Sequence, residues 1–319
     1  MHKRKLSIDE QIEDLKSKNI KFEIYTVEEA KKYLYYNNYY FKVKSYARDF
    51  SQYSCVEKNN QYINLDFAYL VELSELDMYF RRLIVRLSLE IEHVIKVRFM
   101  KDIINNPNED GYNIVKKYVD SDYSVLLELY SHNDKSATKG LIEKIKANED
   151  EIPIWKFIEV LSFGRFIELY NLYYGIYGGH SYSSYLGNVK FLRNAAAHNN
   201  CLLNSLRKPY SIKICKCKDI MDTLAKSKKF ETSYKDKMEN KIIHDFVVLL
   251  FVYYDLMSTP RNRDMRDRGM NDVRKLFFET MIRNKEYFIK NNVLVSDYKF
   301  ICKVIEYLEN CRNNPVLRK

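Results

Sequence analysis

Residues 66–104 read DFAYLVELSELDMYFRRLIVRLSLEIEHVIKVRFMKDII, a long regular pattern in a chain of 319 residues. Apolar residues recur in this stretch at the three- and four-residue spacing of one helix face, namely Leu70, Leu73, Leu76, Phe80, Leu83, Leu87, Ile91 and Val94. The other side is more polar and carries Glu75, Tyr79, Arg82, Arg86, Glu90 and His93. The pattern predicts one helix from Asp66 to about Ile104, which Asn105, Asn106 and Pro107 then end.

The rest of the chain also favours helices. Only 8 glycines and 5 prolines interrupt it, which is unlike a turn-rich β fold. Ser7–Glu10 and Thr26–Glu29 each have the capping-box spacing that opens a helix. Further helices are expected from Pro153 to Tyr173 and from Lys241 to Met257. The sequence therefore predicts an all-α fold.

Composition and motifs divide the chain into three parts. Residues 1–60 form an N-terminal helical extension, residues 61–206 a helical bundle, and residues 207–319 a basic, helical C-terminal region. The boundaries are approximate, and the parts are expected either to fold separately or to pack as one unit.

The N-terminal extension contains a cluster of aromatic residues, which are Tyr33, Tyr35, Tyr36, Tyr39, Tyr40, Phe41 and Tyr46. Aromatic rings can bury apolar area against the rest of a protein, or they can stack on nucleic-acid bases. We favour packing of this small helical unit onto the main body.

The cysteines and the N terminus indicate a cytoplasmic protein. Six cysteines are scattered through the chain, and no apolar run follows the basic start Met1–Lys5, so we expect reduced thiols and no secretory leader. The apolar run Phe246–Tyr254 is too short to span a bilayer, and no membrane partner is expected.

The formal net charge is +10, and much of it lies in one segment. Residues 207–241 contain 11 Lys or Arg against 5 Asp or Glu. Such a block favours a polyanion such as RNA, although a solvated segment without a ligand is the commoner explanation for a charge run alone. The RNA-contact candidates here are Arg207, Lys208, Lys213, Lys216 and Lys218.

The segment FLRNAAAHN at residues 191–199 carries the candidate chemistry. On a helix, Asn194 and His198 share one face, and Arg193 projects from the neighbouring flank. A histidine can move protons near neutral pH, and an arginine can stabilise charge on a phosphate. Asn194 could hold the His198 ring in one orientation. These groups are sufficient for RNA cleavage without a metal.

The Arg-x4-His spacing alone is weak, because two fixed positions occur by chance in many proteins. A histidine at a helix C terminus can also simply interact with the helix dipole. A second polar set, Arg86, Glu90 and His93, lies on the long helix. There an intrahelical Arg86–Glu90 pair with His93 beside it is the stronger interpretation.

Other patterns are less informative. The pair Cys215 and Cys217 lacks the second ligand pair of a zinc site, and no phosphate-binding loop is present, so we expect no metal ion and no cofactor. A second set of basic residues consists of Arg261, Arg263, Arg266 and Arg268. For this set, contact with RNA and surface pairing with Asp264 and Asp267 are equally supported.

The 191–199 motif resembles the R-N-x3-H form of the HEPN ribonucleases (higher eukaryotes and prokaryotes nucleotide-binding domains). Blocks elsewhere resemble the bacterial abortive-infection (Abi) family and follow its order from Ser7 to about Leu206. These blocks are Ser7–Ile12 with Leu15, Ala30–Tyr46, Asp77–Leu83, Glu90–Glu92, Ile154-Trp155, Glu159–Gly164 and Leu192–Asn199.

The resemblance implies a HEPN-type helical bundle that acts in phage defence. It implies RNA cleavage that leaves a 2′,3′-cyclic phosphate, in a cleft where two copies of the motif meet in a homodimer. Arg193 and His198 correspond to the catalytic pair, and Asn194 to its polar companion. A bound small non-coding RNA is a further partner that the resemblance implies.

Two alternatives stay open at the level of sequence. The same groups could hold a small non-coding RNA without cutting it, or the protein could be a helical protein-interaction adaptor whose basic segment is incidental.

Overall fold

The computed structural model describes residues 4–131, 137–210, 212, 214, 216–230, 234–311 and 316–317. Lys213 and Cys215, two of the residues singled out above, lie outside this range. The helices are α1 (Ile8–Ser17), α2 (Val27–Tyr36), α3 (Tyr40–Ser45), α4 (Phe67–Ile104), α5 (Asn113–Ser121), α6 (Ser124–Ser131), α7 (Lys139–Lys146), α8 (Ile154–Val160), α9 (Phe163–Tyr177), α10 (Ser183–Ala197), α11 (Lys218–Lys226), α12 (Tyr234–Lys237), α13 (Lys241–Leu256), α14 (Arg263–Lys275) and α15 (Asn292–Asn310).

Little of the described chain is extended. The strands β1 (Ile20–Lys21) and β2 (Leu65–Asp66) pair in parallel, with Ile20 opposite Leu65. The described chain also contains short 3-10 turns at Tyr46–Asp49, Val56–Lys58, Glu149–Glu151, Pro260–Asn262 and Lys285–Tyr287. Residues Leu276–Thr280 form a π-helical turn. The predicted all-α fold is confirmed.

The 38-residue helix α4 is the long helix that the periodicity predicts. The side chain of Asp66 caps its first turn by accepting the N–H of Ala68 at 2.9 Å. Every apolar residue of the predicted stripe is buried, from Leu70 to Val94. Because the stripe is buried over most of the helix, tertiary packing stabilises it along this length.

Helices α4, α10 and α13 pack together at the centre of the larger apolar core. Residues 242–256 of α13 are all buried, which explains why this helix is apolar on every side. Helix α10 runs antiparallel to α4, because Arg193 lies beside Glu92 and the residues after α10 reach Asp77. The division of the chain into three parts stays a prediction.

The predicted helix from Pro153 to Tyr173 is wrong in one respect, because it is broken in two. Leu161 has extended backbone between α8 and α9, and the Ser162 hydroxyl accepts the N–H of Arg165 at 3.3 Å. Serine at this position caps a new helix start, and the apolar periodicity on either side hides the break.

The predicted N-terminal capping boxes are both present, at Ser7 with Glu10 and at Thr26 with Glu29. Helices α1, α2 and α3 pack with the first turns of α4 in a second apolar cluster. This arrangement places α3 beside the end of α10.

Taken one at a time, the described helices are too short or too polar to cross a bilayer. Lys241–Leu256 and Pro260–Thr280 reach the required length and composition only as a pair bent by 115°.

Candidate functional site

The candidate motif lies at the C-terminal end of α10. His198 is the residue that caps this helix, and Asn199 follows with a left-handed backbone at φ 56°. The N–H groups of Asn199 and Asn200 donate to the carbonyls of Ala196 (3.1 Å) and Ala195 (3.0 Å). This is the hydrogen-bond pattern of a Schellman motif, which asparagine can adopt at the left-handed position. It ends the helix and leaves His198 exposed.

His198 lines a groove with a volume of about 1630 Å³. Its lining comes from α3 and the residues before it, from one side of α4, and from residues 196–201. The imidazole makes no hydrogen bond within the described part of the chain. A proton-transfer group is therefore open to a ligand in this groove.

Arg193 is half-buried and does not line the groove. Its Nη1 donates to Oδ1 of Asn194 at 3.0 Å, and its Nη2 lies 4.0 Å from Oε2 of Glu92. The sequence predicts that Asn194 orients the His198 ring. In the structure, Asn194 instead accepts a hydrogen bond from Arg193. The Arg193 guanidinium contacts the side chain of the next residue, whereas His198 is the C-cap residue of the helix.

A buried carboxylate fixes the backbone that follows the motif. Asp77 of α4 is fully buried and accepts the N–H groups of Leu202 (3.1 Å) and Leu203 (3.0 Å). It also accepts a 2.6 Å bond from the hydroxyl of Tyr46 and one from Nη1 of Arg81. Burial raises the pKa of the Asp77 carboxyl, and these four donors offset part of that rise.

Two cations hold the carbonyl groups of the same turn. Nζ of Lys42 donates to the carbonyl of Asn199 at 3.0 Å, and Nη1 of Arg81 lies 3.5 Å from the carbonyl of Asn200. With Asp77, they attach the end of α10 to both α3 and α4. The backbone that carries His198 is therefore fixed from two sides.

Sequence reasoning missed Asp77 and Arg81 as parts of the site, although a signal was present. An acidic residue among the apolar residues of α4, four positions before an arginine, has the spacing of an intrahelical ion pair. A charged pair on the buried side of a helix needs further partners there.

A family model described as Abi-like protein matches residues 32–204. This range runs from α2 to the loop after α10, and it includes the groove and the Asp77 contacts. The chain belongs to the Abi-like protein family. Membership supports a role in abortive infection. Comparison with curated proteins and with solved structures gave no match.

In this Abi-like protein, the second polar set, which is Arg86, Glu90 and His93, contains the predicted Arg86–Glu90 ion pair. Nε of Arg86 donates to Oε1 of Glu90 at 3.2 Å, four residues along α4. Glu90 also accepts a 2.6 Å bond from the hydroxyl of Tyr253, and Arg86 contacts Asp272 of α14. Both Arg86 and Glu90 line the groove, whereas His93 is exposed outside it. The predicted intrahelical pair is therefore present, and a functional role of this set stays a prediction.

The basic segment uses several of its charges internally. Nζ of Lys208 lies 3.0 Å from Glu239, and Lys216 lies 4.0 Å from the same carboxylate. Arg207 donates its backbone N–H to Asp49 at 2.9 Å and its Nη2 to Ser51. Lys218 is exposed at the first residue of α11. RNA contact by these residues stays a prediction.

The arginines around α14 divide into two groups. Arg261, Arg263 and Arg268 are exposed, whereas Arg266 is only 6% exposed. The Arg266 guanidinium lies 2.8 Å from Asp267 and 5.3 Å from the ring of Tyr254. Arg266 thus pairs with Asp267, although it is buried rather than on the surface, and RNA contact by the other three arginines stays a prediction.

Among the described residues, no three His, Cys, Asp or Glu side chains are grouped as metal ligands. Cys217 is buried, and its Sγ lies 3.7 Å from the carbonyl of Ser184.

Proposed function

We propose that this Abi-like protein is a metal-independent endoribonuclease of the HEPN type, which acts in phage defence as a homodimer. The single observation that carries this proposal is the position of His198. It is exposed in a large groove at the end of α10, on a backbone held by Asp77, Arg81 and Lys42.

RNA cleavage of this type needs a group that takes the proton of the ribose 2′-hydroxyl and a group that protonates the 5′-oxygen. His198 is assigned to proton transfer, because an imidazole can act as an acid or a base near neutral pH. Arg193 is assigned to the charge that develops on the phosphate. Asn194 is a positioning residue that holds the Arg193 guanidinium.

The proposal of a homodimer is supported by what one chain supplies. One copy offers one histidine, and its Arg193 lies outside the lining of the groove. Two copies related by a two-fold axis would bring two of each group to one cleft. The small side chain of Ala197 is exposed at the end of α10 and leaves room for close contact between the copies.

The direct test is cleavage of RNA by purified protein in EDTA. The expected result is cutting that leaves 2′,3′-cyclic phosphate ends, and a loss of about 100-fold or more in the His198→Ala variant. His180→Ala is the matched control, because His180 is exposed on a loop outside the groove.

Two results would contradict the proposal. Unchanged cutting by His198→Ala would remove the assignment of His198. RNA binding without cutting by the wild-type protein would favour the alternative of an RNA-holding protein.

A further inference from the structure

We propose that the groove beside His198 binds unpaired RNA, and that Tyr39 and Phe41 are the surfaces on which its bases stack. This inference rests on the proposed function for the identity of the ligand. It adds the substrate class, which is single-stranded rather than duplex RNA, and the residues that select it.

The aromatic cluster of the N-terminal extension divides into three groups, one of which is the exposed pair Tyr35 and Tyr36 outside the groove. Tyr46 is fully buried, and Tyr33 and Tyr40 are half-buried, so packing accounts for them. Tyr39 and Phe41 line the groove and are 62% and 78% exposed. The expectation that the whole cluster packs onto the body is therefore wrong for these two residues and for Tyr35 and Tyr36. Exposed rings beside a polar groove are typical of base-stacking surfaces.

The segment that carries these rings is fixed in place. Asn38 donates from Nδ2 to Oγ of Ser74 on α4 at 2.7 Å, and its Oδ1 accepts the N–H of Tyr39 at 3.0 Å. Tyr39 is the N-cap residue of α3, where its carbonyl accepts the N–H of Lys42 and of Val43, and α3 carries Phe41. A ring on a fixed backbone loses little conformational freedom when a base stacks on it.

The same segment is joined to the catalytic candidate. Lys42 follows Phe41 directly, and its Nζ donates to the carbonyl of Asn199, the residue after His198. A base on Phe41 and a phosphate at His198 would therefore belong to one strand in one groove.

The polar lining also fits RNA better than a second protein chain. Arg82 is exposed, lies 6.0 Å from the ring of Tyr79, and has no carboxylate partner in the described ranges. Amides suited to base edges line the groove as well, and they are Asn37, Asn199, Asn200 and Asn204. Duplex RNA hides its base faces, so stacking of this kind requires unpaired bases.

The experiment measures binding of a short fluorescent oligouridine by anisotropy, in a His198→Ala background so that the RNA stays intact. The variant Tyr39→Ala with Phe41→Ala should bind roughly 30-fold more weakly, which corresponds to about 2 kcal/mol. Tyr35→Ala with Tyr36→Ala is the matched control, because both rings are exposed on α2 but do not line the groove. An oligonucleotide of the same length with abasic positions should bind both variants and the parent alike.

The outcomes separate this inference from the proposed function. Equal oligouridine binding by the two double variants would overturn the inference, while loss of cutting in His198→Ala would still support the nuclease. A change of oligomeric state in Tyr39→Ala with Phe41→Ala, seen by sedimentation without a change in RNA binding, would assign these rings to a protein interface. Tighter binding of duplex RNA than of oligouridine would also overturn the inference that the groove binds unpaired RNA.

Discussion

The end of α10 and the basic segment Arg207–Lys241 both carry charged and polar groups that suit RNA, but they use them in opposite ways. At the end of α10, buried and half-buried partners hold the backbone, and the His198 side chain stays exposed. In the basic segment, carboxylates hold the side chains themselves. Lys237 lies 2.6 Å from Asp297, and Lys241 lies 2.6 Å from Asp245.

The difference concerns how much charge is available to a ligand. A lysine that already faces a carboxylate offers an anion little net attraction, since the two charges partly cancel. The +6 excess of the basic segment therefore overstates its attraction for RNA. At the end of α10 few charges are present, but His198 and Arg82 face a groove.

The largest expected effect is on the attachment of the α10 end. Asp77→Ala would leave the buried Arg81 guanidinium without its carboxylate and two N–H groups without their acceptor. Loss of one partner of a buried ion pair costs about 3 to 5 kcal/mol. We expect a decrease of this size in the free energy of unfolding, measured in urea.

Glu75→Ala is the control for Asp77→Ala, since Glu75 is exposed on the same helix two residues earlier. It should change stability by less than about 0.5 kcal/mol. Equal effects of the two variants would mean that the Asp77 contacts do not hold the motif.

A smaller effect is expected from Tyr46→Phe, which removes one donor to Asp77. The cost at neutral pH should be about 1.5 to 3 kcal/mol, as for a hydrogen bond to a charged group. Burial, with Asp77 beside it, raises the pKa of Tyr46 well above its usual 10.0. The folded state therefore keeps the proton, and this contribution to stability is lost as pH rises above about 10, where the unfolded chain ionises.

The measurement for Tyr46→Phe is the free energy of unfolding between about pH 8 and pH 11. The difference between the wild-type protein and the variant should shrink across that range. A constant difference would contradict the assigned cause.

Local signals in the sequence were sufficient for several of the helices, although they missed the break between α8 and α9. Periodicity predicts α4, the Ser7 and Thr26 capping boxes predict α1 and α2, and the position of His198 at a helix end follows from its context. Each of these depends on residues a few positions apart, which sequence spacing records directly.

Contacts between distant residues were not predictable in the same way. Lys208 meets Glu239 31 positions later, and Asp77 meets Leu202 125 positions later. The exposure of Tyr39 and the burial of Tyr46 depend equally on what packs beside them. Sequence spacing shows which polar and charged side chains are present. Only the packing of α3, α4 and α10 shows which of these side chains already have partners within the protein.

The smallest expected effect compares one cation from each region. Lys208 faces Glu239 and Asp236, whereas Arg82 faces the groove. Arg82→Gln should lower the slope of log affinity against log salt by about 0.7 for single-stranded RNA, because one phosphate contact is lost. Lys208→Gln should leave that slope unchanged, since its charge is already compensated. Both slopes come from anisotropy titrations of oligouridine over a series of KCl concentrations. A larger decrease for Lys208→Gln would reverse the comparison and assign the RNA backbone to the basic segment.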